Sequence, residues 1–325
     1  NLLRAQSQQG NQVAVRLVAA LLAVTLSGCG SQPQRQADII IERAHSGGSS
    51  LGISPDSKIL ASGGWSGNVR LWDLETGRNL RSWRAHTDSV NGIFFLPDGN
   101  ILTAGYDGRI ALWNPTGKEI RSRNIVPVTA SAIDVARGKF VTGHKDGTLT
   151  VWNLETGQET RRFRPHRKLI RSVGISPDGS MIASSAKDMR VALTTIASGK
   201  IRYLDRPSSD PRTLAFSPLG DSLYGAGWFR LFRWNLDTGR IETLDTDHKG
   251  IINNIQFTPG GQLASISRQT DSAVLFLDPL SGKTNTRFQQ HDLCGVAVYV
   301  SPDGGYLATT SDDASVRIWK LSTPK

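Results

Sequence analysis

Three residue types that can work together as a hydrolytic relay recur at matched intervals along this 325-residue chain. His86, Thr103 and Asp107 form one set; His166, Ser184 and Asp188 a second; His248, Ser267 and Asp271 a third; His291, Thr309 and Asp313 a fourth. In hydrolases such a histidine takes a proton from the hydroxyl while the carboxylate orients its ring. One active site needs one set, however, and four copies in one chain are better explained as scaffold. A tryptophan follows six residues after the aspartate in two of these sets (Trp113, Trp319). The departures are informative. The first unit has His45 but Ser66 in the aspartate position. The third has Thr142 and Asp146 but Ile125 where histidine is expected, with His144 elsewhere in a turn. The fifth has neither histidine nor aspartate. Units one and five are therefore expected to be held least rigidly.

No other chemistry stands out. The two cysteines, Cys29 and Cys294, are too few for a disulfide framework, and Cys294 reads as a small buried thiol. There is no haem-attachment motif, no Gly-rich phosphate loop and no Cys/His cluster with metal spacing, so neither a metal nor a cofactor is expected. The alternative, an enzyme of hydrolase or dehydrogenase type, requires one asymmetric set of acid/base or metal ligands, which the sequence does not supply.

The elements that position these residues follow one period. Gly63 to Gly77 reads as a strand end, a tight turn, a strand with alternating Val69 and Leu71, then Trp72 and a second turn. Equivalent positions fall at Trp113, Trp152, Thr194, Trp234, Leu277 and Trp319, so seven units of about forty residues are present. In the second unit, strands Val90 to Phe95, Asn100 to Ala104, the tryptophan strand and Glu119 to Arg123 are separated by Leu96-Pro-Asp-Gly99, Gly105-Tyr-Asp-Gly108 and Pro115-Thr-Gly117. Four short antiparallel strands are marginal alone, and seven such sheets around an axis cover one another. The pattern resembles the WD-repeat (WD40) β-propeller over residues 38 to 321, which implies an all-β, seven-bladed fold with four-stranded antiparallel blades. The resemblance also implies that the recurring His, Ser/Thr and Asp, extended by tryptophan, form a hydrogen-bonded chain that pins one turn to the sheet and satisfies buried polar atoms. The seventh unit lacks its fourth strand, and the strand-like Asp38-Ile-Ile-Ile-Glu-Arg43 is expected to supply it and close the ring. Residues 322–325 form a short tail.

Ahead of the repeats the composition changes. Arg16 precedes the apolar run from Leu17 to Thr25, and Leu26-Ser-Gly-Cys29 follows. The run is about half the length of a membrane-spanning helix, as in a secretory leader. Leu-Ser-Gly-Cys resembles the lipobox of bacterial lipoproteins, which implies removal of residues 1–28 and lipid attachment to Cys29. Each buried methylene then contributes about 0.8 kcal/mol of membrane affinity. Gly30, where the lipoprotein family's inner-membrane retention signal has aspartate, favours the outer membrane. Residues 29–37 read as a polar linker. The expectation is a monomer anchored in the bacterial cell envelope and facing the periplasm.

The net charge of +10 favours anionic partners, and export argues against nucleic acid. The family resemblance places Trp65, Tyr106, Lys145, Lys187 and Trp228 around the channel mouth, with Arg171, Arg212 and Asn253 in a second ring. Aromatics with Lys and Arg bury large areas and reach carboxylates, so this face is the candidate binding surface for envelope proteins with acidic or extended segments. On the opposite face, Arg78, Lys118, Lys200, Arg240 and Lys283 follow turn glycines, a basic ring suited to an anionic bilayer. These features describe a non-catalytic interaction scaffold.

Overall fold

The computed structural model describes residues 33–321 together with the backbone of one short strand, Val15–Leu17. Alternation decides which strand faces are covered. In Asn68–Asp73, Val69 and Leu71 are buried while Asn68 and Arg70 are only half-covered. The outer strand Glu119–Asn124 is largely exposed, as its Glu-Ile-Arg-Ser-Arg-Asn sequence requires.

The strands form seven antiparallel sheets, here called blades 1 to 7, of which the first six are meanders of consecutive strands. Their innermost strands are Gly48–Ile53, Val90–Phe95, Val128–Asp134, Ile170–Ile175, Thr213–Phe216, Ile251–Phe257 and Gly295–Val300. Each touches the innermost strand of the next blade, and Gly295–Val300 touches Gly48–Ile53, so the ring is closed. This is the seven-bladed β-propeller that the repeat period implies, and no helix occurs among the described residues.

The core is partitioned in the same way. Seven buried clusters occur, one between each pair of neighbouring blades. Trp72, for example, packs with Leu51 and Leu60 of its own blade and with Ile39, Ile41 and Ile318 of blade 7.

Closure follows the expected route. Ile39–Ile41 pairs with Val316–Lys320 in the register Ile39 to Ile318, Ile40 to Arg317 and Ile41 to Val316, supplying the missing fourth strand. Val15–Leu17 then pairs with Ile39–Ile41 as a fifth strand of this blade, one more than the repeat count requires. The expected linker is docked over its last residues. Arg35 N donates to the Arg287 carbonyl, Gln289 N donates to the Arg35 carbonyl, and Ala37 is buried. Cys29, most of the expected leader and the tail 322–325 lie outside the described residues.

Ile41 is fully buried at the closure, whereas Ile120, in the outer strand of blade 2, is 51% exposed. Ile41→Ala should therefore lower stability by about 2–5 kcal/mol in chemical denaturation. Ile120→Ala should change it by no more than about 0.5 kcal/mol. Equal effects would contradict a closure that depends on this strand.

Candidate partner-binding face

The repeated polar sets build the upper face, the side that carries the histidines and the turns between second and third strands. In blade 2, His86 Nδ1 lies 3.0 Å from Asp107 Oδ1 and Nε2 lies 2.8 Å from Thr103 Oγ1, which accepts a hydrogen bond from Trp113 Nε1 at 2.9 Å. Every donor finds an acceptor if the histidine is neutral: indole N–H to hydroxyl oxygen, hydroxyl to Nε2, Nδ1–H to carboxylate. Burial holds the His86 pKa below its ordinary value, against the pull of Asp107. Asp107 also accepts from the backbone N–H groups of Thr87 and Arg109, which pins the turn to the loop ahead of the blade. Although this is the wiring of a hydrolytic relay, Thr103 is fully buried and its oxygen is occupied by the indole. A substrate carbonyl has no approach to it.

The other sets vary around this plan. In blade 4, His166 joins Asp188 at 3.1 Å and Ser184 at 2.9 Å, and no tryptophan completes the chain. In blade 7, His291 joins Asp313 at 3.0 Å and Thr309 at 2.7 Å. Trp319, expected to extend that chain, instead donates to the Arg35 carbonyl at 3.1 Å, because the closing segment runs past its indole. In blade 6 the expected hydroxyl is corrected: His248 Nε2 meets Ser265 Oγ at 2.8 Å, while Ser267 bonds Asp271. The turn after this strand carries two additional residues, so the aspartate stands six rather than four positions beyond the hydroxyl. His248 Nδ1 and Asp271 Oδ2 are correspondingly 3.9 Å apart. Blade 3 recovers its histidine from the strand Lys139–His144. Here His144 Nε2 faces Thr142 Oγ1 at 3.0 Å, and Nδ1 faces the Pro127 carbonyl at 3.2 Å.

Blade 1 keeps His45, Ser62 and Trp72 in a chain of 2.7 Å contacts, but with Ser66 in place of aspartate His45 Nδ1 is buried without a partner. Burial, with Arg70 nearby, lowers the His45 pKa to about 3.

Above these chains stand the residues expected to meet a partner. Trp65 is 51% exposed and lies across Gly47, where a Cβ would come within 2.7 Å of the indole. Trp228 is 45% exposed and packs against Phe229, with ring centroids 5.4 Å apart. Phe229 was not singled out from the sequence. It has φ +59°, at a turn position where blades 1 to 3 have glycine and blades 4 and 7 have Met189 and Ala314, all with positive φ. That is an unfavourable conformation for a bulky residue, and the absent glycine was the available signal. Blades 1 and 5 stand nearly opposite in a ring of seven, so the two aromatic sites flank the mouth. Lys145 and Lys187 are exposed on blades 3 and 4, and Tyr106 is half-buried. Arg164, Arg167, Lys168 and Arg190 gather four cations around one cavity at blade 4.

The channel is a cavity of about 370 Å³ lined by residues of all seven blades, among them Asn91, Arg171, Arg212 and Asn253. The second expected ring is thus brought together. Among the described residues no three His, Cys, Asp or Glu side chains gather as a metal site, and no helix is long and apolar enough to cross a membrane.

A closed ring of seven such blades defines a seven-bladed β-propeller, and four segments of it match a WD40 repeat. The WD domain, G-beta repeat, matches residues 39–73, 77–114, 157–193 and 282–320. Each match begins with one outer strand and continues through three strands of the following blade, the same one-strand offset that makes the closing strand necessary. The chain is similar to human angio-associated migratory cell protein, with 23% identity over 299 residues covering 84% of this chain and 67% of that one. Nuclear distribution protein PAC1 of Arthroderma otae is 25% identical over 84% of this chain and 58% of its own length. Periodic tryptophan protein 2 of Arabidopsis thaliana is 28% identical over 83% and 28%, respectively.

The orphaned Nδ1 of His45 yields a test. Between pH about 6.5 and 3 the unfolded chain binds a proton at this position that the folded chain refuses. Its unfavourable contribution is therefore absent above pH 6.5 and grows as the pH falls. Ser66→Asp, which supplies the missing acceptor, should raise the His45 pKa in NMR titration and add about 1–2 kcal/mol of stability at pH 7. An unmoved pKa would show that the turn cannot present the carboxylate.

Proposed function

We propose that this protein is a non-catalytic interaction platform of the bacterial cell envelope, in which all seven blades are WD40 repeats and the upper face receives an extended, acidic segment of an envelope protein. The observation that carries the reading is the pair of exposed aromatic sites, Trp65 and Trp228 with Phe229, flanking a basic mouth. Large rigid rings supply contact area at low entropic cost, and surrounding cations select acidic chains.

The Leu-Ser-Gly-Cys29 motif supports a lipid tether, and Gly30 favours the outer membrane. Arg78, Lys118, Lys200, Arg240 and Lys283 are all exposed on the lower face, where they suit an anionic bilayer while the upper face looks into the periplasm.

Affinity capture with the lipidated protein tests the platform. Trp65→Ala or Trp228→Ala should weaken captured partners about thirtyfold, roughly 2 kcal/mol. Phe229→Gly should weaken them too while gaining about 1 kcal/mol of fold stability. An unchanged partner set would remove the aromatic sites from the reading. Separately, incorporation of labelled palmitate should vanish in Cys29→Ser, and persistent labelling would place the lipid elsewhere.

A further inference from the structure

The channel mouth holds more positive charge than its own carboxylates balance. On blade 4, Arg171 donates from Nε and Nη2 to Asp210 Oδ2 at 3.2 and 3.0 Å. On blade 6, Arg268 Nη2 stands 4.0 Å from Asp312 Oδ2 on blade 7, and its Nε is buried without a hydrogen-bond partner. Arg212, at the start of blade 5 between them, lines the channel with Arg171 and makes no side-chain hydrogen bond or ion pair among the described residues. Burial, then Arg171 and Arg268, lower its pKa from the ordinary value, with only Asp210 opposing them. Three guanidinium groups therefore face two carboxylates, and one cation is left over at the rim of a cavity of about 370 Å³.

From this imbalance we infer that the mouth is a carboxylate-binding site, with Arg212 as the primary ligand and Arg171 and Arg268 flanking it. The inference rests on the upper face being the partner surface, and it specifies what the partner inserts: a glutamate, an aspartate or a chain-terminal carboxylate. Charge count separates this ligand from phosphate. A single negative charge neutralises the surplus, whereas a phosphate dianion leaves an excess negative charge beside Asp210 and Asp312. Geometry agrees, because a free guanidinium fork matches two coplanar carboxylate oxygens. Asn253 Nδ2 is already committed to the Val296 carbonyl at 2.9 Å and Asn91 Nδ2 to the Val128 carbonyl at 2.8 Å. One N–H of each of these amides is therefore committed within the fold, and the charge that selects an anion comes from the arginines.

The test uses small anions, so that it does not require the natural partner. Full-length protein with 15N-labelled arginine is titrated with N-acetyl-glutamate, N-acetyl-glutamine and inorganic phosphate while the arginine Nε–H signals are followed. Saturable shifts of Arg212 are expected with N-acetyl-glutamate, with at least tenfold weaker response to the other two. Arg212→Gln should weaken N-acetyl-glutamate binding at least tenfold, and Asp210→Asn, which adds a second surplus charge, should move preference toward phosphate. Ile120→Ala, on the exposed outer strand of blade 2, should leave anion binding unchanged. The inference is overturned by equal responses to glutamate and glutamine derivatives, by tighter binding of phosphate to the unaltered protein, or by full retention of binding in Arg212→Gln. If anion binding holds while the tryptophan variants still capture every partner, the carboxylate site stands and the aromatic reading falls.

Discussion

Every blade in this propeller buries its apolar face against its neighbours. Each of the seven clusters mixes residues from two sheets, so a blade removed from the ring loses its core on both sides. Closure is consequently a condition of stability for the whole array. The three residues Ile39–Ile41 carry a disproportionate part of it, because they complete both the last sheet and the cluster that joins it to Trp72.

The polar chains depend on that packing. Asp107, His86, Thr103 and Trp113 connect a surface turn to the middle of a sheet through groups that water cannot reach, and low polarity around them makes each missing partner costly. Blade 3 solves the same problem with a histidine from another position and a backbone carbonyl in place of the aspartate. Blade 1 leaves it partly unsolved at His45. The conserved element across these variants is the pairing of a buried hydroxyl with an imidazole, and the carboxylate is the replaceable part.

Much of this was legible in the sequence because period and turn chemistry repeat seven times and correct one another. The strand Val90–Phe95 and the closing strand emerge from that redundancy. Single-copy features were legible only in part. Counting back four residues from Asp271 reaches Ser267, and only the backbone shows that a longer turn makes Ser265 the partner of His248. The acceptor of the Trp319 indole is a carbonyl 284 residues away, which no local spacing reveals. Arg171 and Arg212 could be assigned to the mouth, but the lack of a counter-ion at Arg212 depends on where Asp210 and Asp312 point. Phe229 escaped notice because its signal is the absence of a glycine.

The basic sector of blade 4 has a consequence in time rather than in affinity. Arg164, Arg167, Lys168 and Arg190 stand close together beside the mouth, with Lys187 exposed on the same blade. Such a field extends about one Debye length, roughly 8 Å at physiological ionic strength, and accelerates the first encounter with an acidic chain. How long the chain then stays is decided by the desolvated contacts at the aromatic rims and at Arg212. Salt would therefore slow arrival much more than it hastens departure, and capture and retention would reside on different parts of one face.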